Sequence, residues 1–207
     1  KGGAVLAEPM TVQDAGRITP ARTKHIVDVL IEERAPHLAA HWSWPILRIL
    51  LNTVLGYNSA IRLADAIAPM NGDDVLLYVS KLLDVRLKIE GLENIPASGR
   101  CIVVSNHPTG IGDGVALYDA LRPVRPDVCF FANADAHRVS PGFHDNLIPV
   151  EWVLEKRTPG KTRDTLRAAI KALQDERPLA IFPAGRLARR NNGRLIDPDW
   201  SNTCASL

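Results

Sequence analysis

The most constraining feature of this chain is an apolar run that ends in a histidine-bearing turn. Residues 101–104 read Cys-Ile-Val-Val, and residues 106–114 read Asn-His-Pro-Thr-Gly-Ile-Gly-Asp-Gly. A β-branched run of this kind predicts a buried strand, and a proline followed by three glycines predicts a tight turn behind it. The turn therefore places His107 at the end of the strand, with Asp113 a short loop away. In this arrangement a fold can present a general base together with the carboxylate that orients it.

Strands and helices alternate through the second half of the chain. Strands are predicted at 85–90, 101–105, 128–131, 147–153 and 179–182, and helices at 113–121 and 162–174. This alternation predicts an α/β fold with a largely parallel central sheet flanked by helices. Pro149 confines its strand to an edge or a bulge, because proline cannot donate to a ladder.

The first half of the chain is predicted to be mostly helical. Residues 1–20 are expected to form a loose leader, and 21–84 an N-terminal helical segment ahead of an α/β domain at 85–207. Helices are predicted at 23–34, 45–67 and 73–83, and the second is expected to carry Leu47, Leu50, Leu51, Val54 and Ile61 on one side. Trp42 and Trp44 precede that second helix. They fit either an interfacial membrane anchor or packing on the core, and both interpretations stay open.

The net charge and the cysteines of the chain give no support for a nucleic-acid-binding protein or a metalloprotein. A formal net charge of +2 gives no support for nucleic-acid binding. The cysteines at 101, 129 and 204 lack metal-ligand spacing and predict free thiols in a reducing compartment, with no metal site.

The first thirty residues show no signal peptide, and the stretch 49–61 is too short to span a bilayer. The polar tail from Asn191 onward shows no closing strand or helix, so we expect an incomplete C-terminus.

A second turn resembles the first in its position after a strand. Residues 182–186 read Phe-Pro-Ala-Gly-Arg and follow the predicted strand at 179–182. In an open α/β sheet both turns would lie at the carboxyl ends of strands, where such sheets bind ligands. One turn supplies a base and the other supplies the fixed positive charge of Arg186. The pair suits deprotonation of a hydroxyl group on a molecule that also carries phosphate or carboxylate.

These motifs together resemble a known family. Residues 90–96 (Glu-Gly-Leu-Glu-Asn-Ile-Pro), 106–113 and 182–185 occur in the order found in the glycerolipid acyltransferases of the lysophosphatidic acid acyltransferase (PlsC-like) superfamily. The sequence is most similar to the subgroup of hemolysin-like proteins and lyso-ornithine-lipid acyltransferases. The resemblance covers about residues 80–195, and several ordered motifs are more specific than any one alone.

The resemblance implies an enzyme of phospholipid and lipid metabolism that moves a fatty acyl group from acyl-CoA or acyl carrier protein to a lysolipid hydroxyl. His107 would take the proton of the acceptor, Asp113 would hold the imidazole, and no metal or cofactor would be needed. The resemblance also implies a protein peripheral on the inner, cytoplasmic face of the membrane. The residues expected to bind substrate are Asn106, Arg157, Pro183, Gly185 and Arg186.

The sequence departs from the family pattern in three places. Five residues separate His107 from Asp113, where four are common, and the usual Glu-Gly-Thr-Arg is replaced by residues 184–187, Ala-Gly-Arg-Leu. A later proline-containing motif is also missing before Leu207. Because Ala184 replaces a carboxylate, a degenerate module that binds acyl thioesters or anionic lipids without turnover is the alternative. A hydrolase is disfavoured, since the sequence has no Gly-x-Ser-x-Gly elbow.

Overall fold

A computed structural model describes residues 24–151 and 153–201. The helices are α1 (Ile26–Arg34), α2 (Pro36–Ala39), α3 (Trp44–Val54), α4 (Tyr57–Ile67), α5 (Gly72–Leu83), α6 (Ile111–Leu121), α7 (Asp135–Val139) and α8 (Pro159–Gln174). The strands are β1 (Cys101–Val104), β2 (Cys129–Asn133), β3 (Leu147–Val150), β4 (Pro178–Ile181), β5 (Arg189–Asn191) and β6 (Arg194–Ile196). Short 3-10 turns lie at Leu92–Asn94, Pro141–Asp145 and Leu154–Lys156.

Four of the strands form a parallel sheet in the order β1-β4-β2-β3. The predicted α/β fold with a parallel sheet is therefore confirmed. Among the strands of the described ranges, β3 pairs only with β2, so Pro149 lies in an edge strand as its missing N–H requires. Strands β5 and β6 form a separate antiparallel hairpin inside the tail that had been expected to lack a strand.

Each face of the sheet is covered by helices. Successive strand residues alternate between the faces, so Phe130 packs on one side and its neighbour Cys129 on the other. The first face packs against α5 and α6, and the second packs against α8. The buried side chains of the first face are Leu76, Tyr118, Leu121, Val128, Phe130, Leu147 and Ala180. Those of the second are Cys129, Ile148, Ala169, Ala172, Leu173 and Leu179.

A buried arginine, Arg125, joins the loops that precede strands β1, β2 and β4. Both ends of the Arg125 guanidinium donate to the carboxylate of Asp127, at 2.9 and 2.8 Å. The same group donates to the carbonyl oxygens of Pro96, Gly99 and Glu176. Arg125 lowers the pKa of the Asp127 carboxyl through these hydrogen bonds. A single side chain thus joins three separate chain segments.

The prediction of one continuous helix over 45–67 is wrong. It divides into α3 and α4 at Gly56, which has φ of +68° and no side chain to oppose that conformation. On the apolar side predicted for this helix, Leu50 and Val54 are 62% and 74% exposed and so do not pack on the core. Trp44 is buried and Trp42 is exposed, so the two indoles have different environments. Among the helices of the described ranges, none combines the length and apolar character needed to cross a bilayer.

The strand predicted over 85–90 is wrong. Residues 85–90 form no ladder with any strand in the described part of the chain, although their apolar and charged side chains alternate. Alternation is a local property, whereas a strand also needs a partner at the correct distance. The apolar side chains of Val85, Leu87 and Ile89 are accordingly 38–44% exposed.

The N-terminal helices contact the α/β part directly. Arg138 of α7 pairs with Glu33 of α1 at 2.9 Å, and Ser80 of α5 donates to Asp119 of α6 at 2.8 Å. Glu33 accepts hydrogen bonds from Arg138 and also from Lys156, and these bonds lower its pKa to about 2. The division at residues 84 and 85 stays a prediction. The expected leader at 1–20 and Cys204 lie outside the described residues.

Candidate active site

The sheet brings the two predicted turns together. Strands β1 and β4 are neighbours, with Val104 paired to Ile181 at their carboxyl ends. The N–H of Ser105 then donates to the carbonyl oxygen of Ile181 at 3.1 Å. The segments that follow, beginning at Asn106 and Phe182, leave the same edge of the sheet side by side.

His107 and Asp113 are in direct contact. Nδ1 of His107 lies 3.0 Å from Oδ2 of Asp113, and their side chains are only 17% and 14% exposed. Asp113 lies in the first turn of α6, and its carboxylate therefore points back toward the turn that carries the histidine. The expected hydrogen bond is present, and the catalytic role of the pair stays a prediction.

The Asp113 carboxylate is fixed by three further hydrogen bonds. Its Oδ2 accepts from the backbone N–H groups of Thr109 and Gly110 at 2.8 and 2.9 Å, and its Oδ1 accepts from the Thr109 hydroxyl at 2.6 Å. These contacts also cap the start of α6. Capping and orientation of the imidazole are therefore performed by the same carboxylate. Gly110 permits this turn because its backbone has φ of +84°, which residues with a side chain rarely adopt.

The partner of Nδ1 defines the tautomer of His107. An ionised carboxylate can only accept, so Nδ1 carries the proton and Nε2 carries the lone pair in the neutral imidazole. Within the residues that the structure describes, Nε2 has no hydrogen-bond partner. A basic nitrogen is thus available for a proton from a substrate.

Phe182 holds the plane of the imidazole. Its ring stacks on that of His107 with a centroid distance of 4.4 Å and an interplanar angle of 22°. Sequence reasoning placed Phe182 in the second turn but gave it no role at the site. Its position at the end of β4, next to the strand that precedes His107, is the reason for the contact.

The C-terminal segment also holds the histidine backbone. The N–H of His107 donates to Oδ1 of Asp197 at 3.2 Å, and its carbonyl oxygen accepts from the N–H of Ala188 at 2.9 Å. Oδ2 of Asp197 accepts from Nε1 of Trp200 at 3.2 Å. Sequence reasoning missed Asp197, because an isolated aspartate ninety residues away carries no local pattern.

Two clefts open beside the pair. The first, of about 540 Å³, is lined by Asn106, Pro108, Ala188, Leu195, Ile196, Asp197, Pro198, Asp199 and Trp200. The second, of about 340 Å³, is lined by Leu87, Lys88, Ile89, Glu90, Ser105, Asn106, Asp113, Ala116, Leu117 and Ala120. Asn106 lines both, directly before His107 in the chain. Volumes of several hundred Å³ are usual for sites that bind small molecules.

The remaining predicted site residues fall in two places. Pro183 is buried, and the N–H of Gly185 closes the second turn on the carbonyl oxygen of Phe182 at 2.9 Å. Arg186 is exposed just before Ala188, and no carboxylate in the described ranges pairs with it. Arg157 lies ahead of α8, donates to the carbonyl oxygen of Glu151, and lines neither cleft. The segment that carries Arg186 reaches His107 through the backbone of Ala188, but Arg186, like Arg157, lines neither cleft.

Comparisons with known proteins match the region of the chain that contains these residues. The family model described as "Acyltransferase" matches residues 86–202, more than half of the chain. A lyso-glycine lipid O-acyltransferase of Phocaeicola vulgatus is 32% identical over 136 residues, which cover 64% of this chain and 46% of the relative. Its counterpart from Bacteroides thetaiotaomicron is 32% identical over 133 residues, covering 64% and 47%.

The matched region contains both turns and both clefts. The chain spans about half the length of these curated relatives. No solved structure matches. With its histidine, aspartate and second turn inside a match that covers most of its length, the chain belongs to the acyltransferase family (PlsC-like).

Proposed function

We propose that this protein is an O-acyltransferase that moves a fatty acyl group from a thioester to the hydroxyl of a lysolipid. The hydrogen bond between His107 and Asp113 is the observation that carries the proposal. The relatives' names support a lysolipid acceptor. The thioester is that of acyl-CoA or acyl carrier protein, as the resemblance implies.

In the proposed reaction, Nε2 of His107 takes the proton of the acceptor hydroxyl while its oxygen attacks the thioester carbonyl carbon. The C–S bond then breaks, and the imidazolium returns the proton to the departing thiolate. Asp113 keeps Nδ1 protonated and stabilises the transient positive charge on the ring. No acyl-enzyme forms, so both substrates must be bound at once. Acid-base help of this kind contributes roughly 10²–10⁴ in rate, and alignment of the two substrates must supply much of the rest.

Two clefts suit a reaction with two substrates. The second cleft has an apolar side formed by Ala116, Leu117 and Ala120 of α6, which fits the acyl chain of the donor. The first cleft includes Ala188, two residues beyond Arg186, which has no ion-pair partner in the part of the chain that the structure describes, and it fits the acceptor with an anionic head group. Asn106 lines both clefts, and we assign its side-chain amide to the thioester carbonyl oxygen, where negative charge develops.

A position on the cytoplasmic face of a membrane is part of the proposal. Helix α3 supports it, because Trp42 just before the helix and four apolar side chains along it are exposed. Those four side chains are Ile46, Ile49, Leu50 and Val54. The free thiols of Cys101 and Cys129 support a reducing compartment.

The test is transfer from labelled acyl-CoA or acyl carrier protein to a panel of lysolipids, read by mass spectrometry. We expect an acylated product with the wild-type chain and with His144→Gln, an exposed histidine that lines neither cleft, but none with His107→Gln. Equal product from His107→Gln would overturn the mechanism. Saturable donor binding without any product would instead favour the degenerate binding module, which the loss of a carboxylate at Ala184 suggests.

A further inference from the structure

The β5–β6 hairpin carries positive charge that nothing in the described chain neutralises. Arg189, Arg190 and Arg194 lie on its two strands, and residues 186–196 contain no acidic residue. None of the three guanidinium groups has a hydrogen-bond or ion-pair partner among the described residues. Several other surface cations of this protein do pair, as Lys161 does with Glu151 and Lys171 with Asp175.

Apolar side chains are interleaved with these arginines. Arg189 is paired across the ladder with Ile196, and Arg190 with Leu195. Cross-strand partners share a face and successive residues alternate, so each face of the hairpin presents an arginine beside an aliphatic side chain. Leu195 and Ile196 are 58% and 50% exposed. A solvated hairpin gains nothing from exposed aliphatic groups on both faces, and two strands alone are marginally stable in water.

The hairpin is continuous with the first cleft. Leu195, Ile196 and the half-exposed indole of Trp200 all line that cleft, which also reaches Asn106 and Pro108 beside His107. A surface that binds the hairpin would therefore cover the mouth of the cleft. The carboxylates of Asp197 and Asp199 lie on the cleft beyond the hairpin, and Asp197 is engaged by His107 and Trp200.

We propose that the β5–β6 hairpin seats on an anionic lipid bilayer, with its arginines on lipid phosphates and Leu195, Ile196 and Trp200 at the level of the head groups. Cationic and apolar side chains side by side match the two layers of a bilayer surface. An acidic protein such as an acyl carrier protein would match the arginines alone. This inference rests on the proposed function, because it lets a lysolipid enter the first cleft without leaving the membrane. It adds a contact separate from α3.

The test is flotation of the full chain with vesicles of phosphatidylcholine alone, or with one quarter phosphatidylglycerol, in the absence of donor and acceptor. The variant is R189Q/R190Q/R194Q. The matched control, R163Q/R167Q/K171Q, removes the same charge from exposed positions on α8. Each arginine near an anionic surface contributes roughly fivefold to partitioning, so the hairpin variant should lose about 100-fold on the anionic vesicles. The control should keep its binding.

Added salt should weaken wild-type binding to the anionic vesicles, since the attraction is screened. Unchanged partitioning of the hairpin variant, or an equal loss in the α8 control, would overturn the inference. Binding of the hairpin variant to an acyl carrier protein is measured beside the flotation. If that variant kept its binding to vesicles but lost its binding to the acyl carrier protein, the inference would also be overturned. Circular dichroism identifies a variant that has failed to fold. Because vesicle binding is measured without substrates, the result does not depend on whether acyl transfer is detected.

Discussion

The carboxylate of Asp197 accepts a hydrogen bond from the backbone N–H of His107 at 3.2 Å, across ninety residues of sequence. The second oxygen of the same carboxylate accepts from the indole of Trp200. The C-terminal segment is thereby fastened to the turn that carries the proposed base. Asp197 is a positioning residue in this arrangement, because it acts on the backbone of His107 rather than on a substrate.

Asp197→Ala should lower kcat by about 10- to 100-fold, because small displacements of a catalytic group are costly. Asp197→Asn keeps an oxygen that can accept from the His107 N–H, and should stay within about fivefold of wild type. Steady-state kinetics of both variants, beside their thermal unfolding, checks this. Full activity in Asp197→Ala would show that the backbone contact has no effect on the reaction.

Asp113→Asn should lower kcat roughly 10²–10⁴-fold, since an amide can donate to Nδ1 and so favour the wrong tautomer of His107. Thr109→Val is the control. It removes the hydroxyl that donates to Oδ1 of Asp113 but leaves the contact with His107 in place, so its loss should stay below about tenfold. Similar losses in both variants would mean that Asp113 acts only by holding the turn.

Gly110→Ala should destabilise the protein by about 1–3 kcal/mol, because a side chain at φ of +84° is strained. A Cβ there would also meet Cδ2 of Leu187 at 3.3 Å. Gly114→Ala is the matched control within the same motif. Its Cβ would meet nothing within 4 Å, and alanine in a helix is worth about 0.5–1 kcal/mol over glycine. Urea unfolding should move the two midpoints in opposite directions, and a shift of the same sign would contradict this account.

Arg125→Ala should cost at least about 3 kcal/mol of unfolding free energy, because it leaves the carboxylate of Asp127 and three carbonyl oxygens without their donor. Arg125→Lys restores the charge but not the fork that reaches both oxygens of Asp127, so it should recover only part of the loss. Chemical denaturation of the three proteins measures both effects. Equal stability of the lysine variant and wild type would show that charge alone is needed.

Burial raises the pKa of the Cys129 thiol from 9.0 to about 11. Because the folded pKa exceeds the unfolded one, the resulting stability is complete below pH 9 and is lost as the pH rises toward 11. The difference in unfolding free energy between wild type and Cys129→Ala should therefore shrink across that window. Urea titrations at pH 8, 9 and 10 measure it, and a constant difference would argue against a buried protonated thiol.

The strand–turn–helix unit around His107 could be predicted from sequence because its signals are local. An apolar run, a proline and glycines specify one strand end, and Asp113 follows within the first turn of a helix. The sequence also predicted that both turns lie at the carboxyl ends of strands, but the pairing of β1 with β4 is known only from the structure. The contact between the rings of His107 and Phe182 is a consequence of that pairing.

The failures of the sequence analysis were mostly non-local. Residues 85–90 have the alternation of a strand, yet the ladder they would need is absent from the described structure. Asp197 reaches His107 only because the hairpin folds the chain back. Gly56 is different, because a glycine inside a helical pattern was visible and its left-handed conformation ends α3. The local signal was present there and was given too little weight.

The strand order has a consequence for how the protein acquires activity during synthesis. Strand β4 lies between β1 and β2, so these two strands, which precede β4 in the chain, cannot pair with each other in their final positions. Until residues 178–181 arrive, His107 has neither Phe182 beneath its ring nor Asp197 behind its backbone. Before that point, the contact with Asp113 is the one of these three supports whose partner has already been synthesised. For the proposed acyl transfer, the histidine is fully supported only after β4 has inserted between β1 and β2 and residues 182–197 have folded onto it.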